Sequence, residues 1–244
     1  VVTEFQAETA RALSILDAAA AELEALPPYT SNGRMPEFDG YAVQLVSDTR
    51  TYLSNLRQMV SLMSGVMTAY QRNDRTEMMR LLPQMENSAT ILLNGQRTML
   101  RARQHLFRSS ETTYHILGAM ISMYDGMAAF RVDEDDQRRN AIDAAADSAA
   151  LWSQSGRLTL ATERQNAQIL PDTQRTIVLA TLDLEEQAFT VDDGVAQFLR
   201  ANTDMKRDDA GPLIVQMAQF EQQYFSLSQQ QVALLQRLTA PQTQ

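Results

Sequence analysis

The chain has 244 residues, of which 44% are hydrophobic and 21% are charged, and its formal net charge at pH 7 is −9. This hydrophobic content can bury one large core or two smaller ones, so the chain is not intrinsically disordered. The acidic balance excludes a nucleic-acid-binding surface, because phosphate binding needs a basic face and none of the predicted helices has one.

Helix-forming residues dominate from one end of the chain to the other. Gly (9) and Pro (7) are scarce, which favours helix over sheet. The first predicted helix covers about Thr3 to Leu26 and is ended by Pro27 and Pro28. Residues 27–40 contain three Pro and two Gly, and they are predicted to form a long loop.

The second predicted helix, about Tyr41 to Arg72, carries an apolar stripe with alternating steps of four and three residues. This heptad spacing is typical of helices that pack side by side, so the stripe needs partner helices. It predicts an all-α protein, an elongated antiparallel bundle of about seven helices. The stripe consists of Leu45, Thr49, Tyr52, Leu56, Met59, Met63, Val66 and Tyr70.

Heptad spacing resumes between Met78 and Leu92, after a polar turn at residues 73–75. Pro83 lies early in this run and predicts either a kink or the true start of the helix. From there to about Arg131 two alternatives stay open. The segment is one long helix, or it is two helices separated near residues 109–111, where hydroxyl groups can cap a new helix.

The remaining helices are separated by two polar turns. An acidic turn at residues 133–136 precedes the fifth predicted helix, which ends before Pro171. The sixth helix reaches about Ala201, a turn follows at residues 202–212, and the seventh helix covers about 213–238. A glycine and an aromatic residue precede each helix-joining turn, which indicates either a hairpin repeat or aromatic side chains that close a bundle end. These pairs are Gly65 with Tyr70, Gly126 with Phe130, and Gly194 with Phe198.

The helix lengths predict how the helices group. Residues 1–244 form either one compact bundle or two modules stacked end to end. In the elongated arrangement the first and third turns lie at the same end and the second turn lies at the other. The two modules would be a four-helix bundle of residues 41–108 plus 172–239 and a three-helix bundle of residues 1–26 plus 111–170.

Two of the turns share a further pattern. Residues 69–74 and 129–136 each combine an aromatic residue, an arginine and an acidic turn. In this they resemble the hairpin tips of the helical bimodular and related all-helical extracellular sensor domains of bacterial chemoreceptors and histidine kinases. The resemblance implies binding of a small carboxylate or an accessory protein, and transmission of a small helix displacement through a membrane.

The predicted location is the periplasmic or extracellular side of a bacterial inner membrane. The chain begins at Val1 instead of Met and contains no Cys, which suits an exported protein from which an upstream segment was removed. No stretch approaches about eighteen consecutive apolar residues, so membrane attachment is expected only through a segment outside this chain. The expected partner is a small organic acid or a protein, and homodimer formation stays open.

Motifs that carry chemistry are sparse. His105 and His115 lie on different faces of any continuous helix, so no metal site is predicted. The acidic turn at residues 133–136 lacks the glycine and the glutamate of a calcium-binding loop. No phosphate-binding glycine loop or catalytic triad is recognisable, so neither an enzyme nor a cofactor is expected.

The best binding candidates are polar residues that interrupt the apolar seam of the third helix. Gln96 and Arg103 fall on seam positions, where burial without a partner would cost several kcal/mol. Their partner is either a carboxylate of a facing helix, such as Glu163 or Glu185, or a bound organic acid. The candidate ligand-binding residues are Gln96, Arg101, Arg103, Tyr114, Trp152 and Arg164.

A cluster of methionines in the second and third helices supports a second hypothesis. Methionine at heptad positions is either bundle core or the lining of an adaptable groove for an apolar partner. The predicted function is therefore an exported binding domain, sensory or ligand-binding, and the alternative is a structural scaffold or protein-interaction module. The cluster consists of Met59, Met63, Met67, Met78, Met79, Met85 and Met99.

Overall fold

The computed structural model describes residues 2–26 and 36–239, which form seven α-helices and one 3₁₀ turn, without any strand. This confirms the all-α class. The short 3₁₀ turn, Arg207–Asp209, precedes the last helix. The helices are α1 Val2–Ala25, α2 Pro36–Gln71, α3 Arg75–Gln104, α4 Thr112–Ala129, α5 Asp135–Ala167, α6 Asp172–Ala201 and α7 Ala210–Thr239.

The helices form two compact units, Val1–Leu106 and Phe107–Gln244. Each unit is a contiguous stretch of chain, with α1 to α3 in the first and α4 to α7 in the second. Short connections favour antiparallel packing between helices that follow one another, which is how the helices pack within each unit. The division therefore differs from the predicted modules, which joined residues 41–108 to 172–239 and residues 1–26 to 111–170.

In the first unit α2 is the central helix. Among the described residues, α1 and α3 each pack against α2 and not against each other. The α2–α3 turn forms as predicted, with Asn73 in the left-handed region (φ 53°) and the Asp74 side chain accepting a hydrogen bond from the backbone N–H of Glu77 at 3.0 Å. Pro83 lies inside α3, so it does not mark the start of that helix.

Two helix boundaries differ from the sequence prediction. α2 begins at Pro36, because proline is well tolerated in the first helical turn. Residues 36–40, which were predicted to belong to the loop at residues 27–40, are helical, and residues 27–35 lie outside the described residues. The helix between Pro83 and Arg131 is interrupted, since α3 ends at Gln104 and α4 begins at Thr112.

The second unit is built around α6, which packs against α4, α5 and α7. Phe189, Val195 and Leu199 of α6 are fully buried. Two glycines let large rings lie directly against a helix backbone. A Cβ atom at Gly156 would lie 2.2 Å from the ring of Phe189, and one at Gly118 would lie 2.4 Å from the indole of Trp152.

Two turns meet at one end of the second unit. Arg207 lies 2.5 Å from Asp133, and the Phe130 and Phe198 rings pack edge to face at 6.5 Å between centroids. Buried Arg138 joins the same turns by donating to the backbone carbonyl oxygens of Met205 and Val132. The predicted placement of the second and third turns at opposite ends is therefore wrong. Four sequential antiparallel helices bring alternate turns to the same end.

We expect Gly156→Ala to destabilise the second unit by about 1–3 kcal/mol, because the new methyl group would overlap the buried ring of Phe189. The matched control is Gly211→Ala, where nothing lies within 4 Å of the new Cβ atom. This control should be neutral or stabilising by up to about 1 kcal/mol. Urea unfolding followed by fluorescence of Trp152, the only tryptophan in the chain, measures both. Equal stability of the two variants would contradict the packing.

Candidate functional site

An apolar groove of about 470 Å³ lies over α2 in the first unit. Because α1 and α3 do not pack against each other, α2 forms the floor of the groove and its neighbours form the walls. The volume lies in the range of ligand-binding pockets. The lining residues are Phe5 of α1, Met63, Val66, Met67 and Tyr70 of α2, and Met78, Leu82 and Met85 of α3.

The groove follows from helical spacing in the sequence. The α2 lining falls at i, i+3, i+4 and i+7, and the α3 lining falls at i, i+4 and i+7, so each helix presents one continuous apolar face. In a layer of three helices these faces are not fully covered. Met63 remains 42% exposed, Leu82 41% and Tyr70 69%. The groove is therefore open to solvent along its length.

The lining determines what the groove can bind. Apart from the Tyr70 hydroxyl group, the lining side chains offer no polar or charged group that could orient an anion. Four of the lining residues are methionines, whose flexible thioether chains adapt to the shape of an apolar partner. Recognition here must rest on apolar area and shape.

The predicted ligand-binding residues of α3 lie outside this groove. Gln96 is half-buried and donates a hydrogen bond to the Tyr52 hydroxyl oxygen at 3.1 Å. Arg101 and Arg103 are exposed near the end of α3. The seam position of Arg103 therefore leaves its side chain exposed, but neighbouring groups shield the guanidinium from water enough to lower its pKa.

The other predicted site residues belong to the second unit. Tyr114 and Trp152 pack edge to face at 5.6 Å between ring centroids. Arg164 is engaged elsewhere, because its guanidinium lies 2.6 Å from Asp183 and 2.7 Å from Glu186. Of the second-unit residues, the structure thus brings Tyr114 and Trp152 together and pairs Arg164 with α6.

The carboxylates that were suggested as partners for Gln96 and Arg103 have other roles. Glu185 is 7% exposed, and its Oε1 atom accepts hydrogen bonds from Thr113 at 3.1 Å and Gln231 at 3.0 Å. Glu163 accepts a 2.7 Å hydrogen bond from the Thr112 hydroxyl group. Burial raises the pKa of Glu185 to about 7, and the nearby charge of Glu163 adds to the effect.

A second buried carboxyl group lies one heptad further along α6. Asp192 is fully buried, and its Oδ1 atom accepts a hydrogen bond from the hydroxyl group of buried Tyr224. Burial raises the pKa of Asp192 well above its usual value. Glu185 and Asp192 are seven residues apart, as are their α7 partners Tyr224 and Gln231, so the two pairs fix one antiparallel register of α7 on α6.

These buried pairs were not predicted, although the sequence contains a signal for them. Glu185 and Asp192 lie on the same heptad stripe of α6 as the apolar residues Leu182, Phe189, Ala196 and Leu199. Charged residues at such positions are rarely buried without a partner. The identity of the donors could not be read from the sequence, because it depends on which helix packs against α6.

The fold and the groove define an all-α helical-bundle protein. Neither a known protein-family model, a curated protein nor a solved structure matches the chain. Within residues 2–26 and 36–239, no three His, Asp or Glu side chains are placed to hold a metal ion. The helices of that part of the chain are also not long and apolar enough for any of them to cross a membrane.

The raised pKa of Glu185 predicts a pH dependence of stability. The unfolded carboxyl group ionises near its model value of 4.5, whereas the folded one stays protonated up to about 7. The contribution of Glu185 to the free energy of unfolding is fully present below pH 4.5. This contribution, on the order of 3 kcal/mol, is lost as the pH rises through 7. Glu185→Gln should remove this part of the pH dependence of the free energy of unfolding, and it should stabilise the second unit at pH 8.

Urea unfolding at pH 4.5, 6 and 8, followed by Trp152 fluorescence, measures this effect. The matched control is Glu186→Gln, an exposed neighbour on the same helix. The control should retain the wild-type slope, because an exposed carboxylate contributes little to the pH dependence of folding. If the free energy of unfolding depended on pH in the same way in the wild type and both variants, Glu185 would have an ordinary pKa and the prediction would be wrong.

Proposed function

We propose that this protein is a non-enzymatic binding module whose apolar groove receives an amphipathic helix of a partner protein. The observation that carries the proposal is the gap between α1 and α3 over α2, lined by eight side chains without a charged group. A groove of this kind supports recognition of a helix through apolar residues at i, i+3, i+4 and i+7.

The geometry favours a helix over other apolar ligands. Both lined helices present ridges of side chains at steps of three and four, which interdigitate with the ridges of another helix at an interaxial distance of about 8–10 Å. A helix in the gap would contact α2 and α3 and would complete a four-helix bundle. The partly exposed Met63, Tyr70 and Leu82 would then be covered.

A small organic acid receives less support as the ligand. The groove lining contains no cation, and Arg164 already faces two carboxylates. The protein-interaction alternative of the sequence analysis is therefore the better proposal. A sensory role outside the cytoplasm stays a prediction of the sequence, and binding of a partner helix at the groove would be the input to such a sensor.

The test uses a fluorescein-labelled synthetic helix of about twenty residues with a leucine stripe at i, i+3, i+4 and i+7. Fluorescence anisotropy should show saturable binding to the full chain, and Met63→Glu or Leu82→Glu should weaken it at least tenfold. A charge placed in the apolar contact must be desolvated, and tenfold corresponds to only about 1.4 kcal/mol. A peptide of the same composition with a scrambled stripe should bind poorly.

The matched control is Met79→Glu. Met79 lies on α3 and is 65% exposed, but it does not line the groove. It should bind the peptide like the wild type, and circular dichroism should show the same thermal midpoint for all variants. Lack of binding by the wild type, or equal weakening by Met79→Glu, would overturn the proposal.

A further inference from the structure

The methionines of the two units differ in exposure. The chain has 13 methionines and no cysteine. In the second unit Met123, Met127 and Met217 lie in the core, each at most 5% exposed. None of the described methionines of the first unit is buried, and the most exposed of them, Met79 and Met63, are 65% and 42% exposed. Sulfur atoms that small solutes can reach are therefore concentrated in the first unit.

Four of these side chains line the apolar groove. Met63 and Met67 are four residues apart on α2, so they are neighbours on one face of that helix, and Met78 and Met85 belong to the α3 wall. The groove volume of about 470 Å³ far exceeds the ~30 Å³ that a water molecule occupies in the liquid. A small solute can therefore enter the groove and reach these four residues, which are called here the groove methionines.

The thioether sulfur of methionine reacts with peroxides. As the O–O bond of the peroxide breaks, the sulfur takes up one oxygen atom and becomes a sulfoxide, and hydrogen peroxide leaves as water. The sulfur loses two electrons and the peroxide gains them, so the step needs no further reactant. Thiolates react with the same oxidants. Because this chain has no cysteine, methionine is the only sulfur in it that a peroxide can oxidise.

We propose that the groove methionines form a peroxide-sensitive modification site, and that their oxidation to sulfoxides stops the groove from binding an amphipathic helix. The first part depends only on where the sulfur atoms lie and on their exposure. The second part rests on the proposed function.

Oxidation changes the property on which the groove depends. A sulfoxide turns a flexible apolar side chain into a polar one whose oxygen accepts hydrogen bonds. Water satisfies this oxygen as long as the groove is open to solvent, but a bound apolar helix would displace that water. Among the lining side chains only the Tyr70 hydroxyl group could donate in its place. Four sulfoxides cannot share one donor, so the oxidised groove favours contact with solvent.

The modification is reversible. Methionine sulfoxide reductases return the sulfoxide to the thioether, with one class of enzyme for each epimer at sulfur. The openness that gives a peroxide access to the groove methionines also leaves their sulfoxides accessible. The site can therefore return to its binding state.

The site of oxidation is tested on the full chain with hydrogen peroxide, and sulfoxides are mapped by mass spectrometry over time. Each groove methionine should oxidise at least tenfold faster than the buried Met123, Met127 and Met217. Met79 gives the rate of an exposed methionine outside the groove, and the urea-unfolded chain gives the rate of each methionine without packing. Groove methionines that oxidise no faster than the three buried ones would overturn the first part of the proposal.

The effect on binding is measured by anisotropy with the labelled leucine-stripe peptide, synthesised without methionine. The oxidised wild type should bind it at least tenfold more weakly, and treatment with both classes of reductase should restore the affinity. The four-leucine variant keeps an apolar lining of similar volume, so it should bind equally before and after oxidation. The matched control, Met79→Leu, should lose binding on oxidation as the wild type does. The four-leucine variant combines Met63→Leu, Met67→Leu, Met78→Leu and Met85→Leu.

The outcomes distinguish this inference from the proposed function. If the unoxidised wild type does not bind the peptide, the proposed function is wrong and the effect on binding falls with it, while the mapped rates still decide the site. If the unoxidised wild type binds and the oxidised wild type binds equally well, the inference alone is wrong. The same holds if oxidation weakens binding by the four-leucine variant as much as by the wild type.

A single substitution covers the case in which the four-leucine variant folds poorly by circular dichroism. Met63→Leu replaces the most exposed of the four groove sulfurs, so this variant should retain more affinity after oxidation than Met79→Leu does. Equal loss of affinity in these two variants would overturn the second part of the proposal.

Discussion

The second unit depends on the hydrogen bonds that its buried carboxyl groups require. A carboxyl group inside a helical bundle is tolerated only where a donor reaches it, because an unpaired buried polar group costs several kcal/mol. α6 carries two such groups, Glu185 and Asp192, and the donors come from α4 and α7. Apolar contacts alone would let α7 slide by a heptad along α6. The polar pairs remove that freedom, and they thereby decide which face of α7 points to solvent.

The first unit has the opposite character. Its three helices form a layer around α2, and fully buried large side chains are few there, in contrast to the Phe130, Phe189 and Met123 core of the second unit. A layer of three helices leaves part of its apolar surface unpaired, and the flexible side chain of methionine adapts readily to a changing partner. The incomplete packing and the proposed binding function therefore have the same physical origin.

The sequence predicted the helices better than their grouping. Periodicity and the Pro and Gly positions located most helix ends to within a few residues, because these signals are local. The grouping failed because similar helix lengths suit several arrangements, and the decisive contacts are specific ones such as Arg207 with Asp133. For the site, the methionine cluster left two alternatives, bundle core or groove lining, and Met63, Met67, Met78 and Met85 line the groove. Arg103 lies outside the groove, and its role as a ligand contact stays a prediction of the sequence.

The contiguity of the two units bears on how the chain acquires its structure. Nearly all packing joins helices that are neighbours along the chain, so the loops that must close are short and the entropy lost in closing them is small. Proteins with such local contacts fold quickly. During synthesis the first 106 residues contain every contact of their unit, so this unit can fold on the ribosome while the second is still being translated. Its apolar groove would then be formed, and exposed, before the second unit is complete.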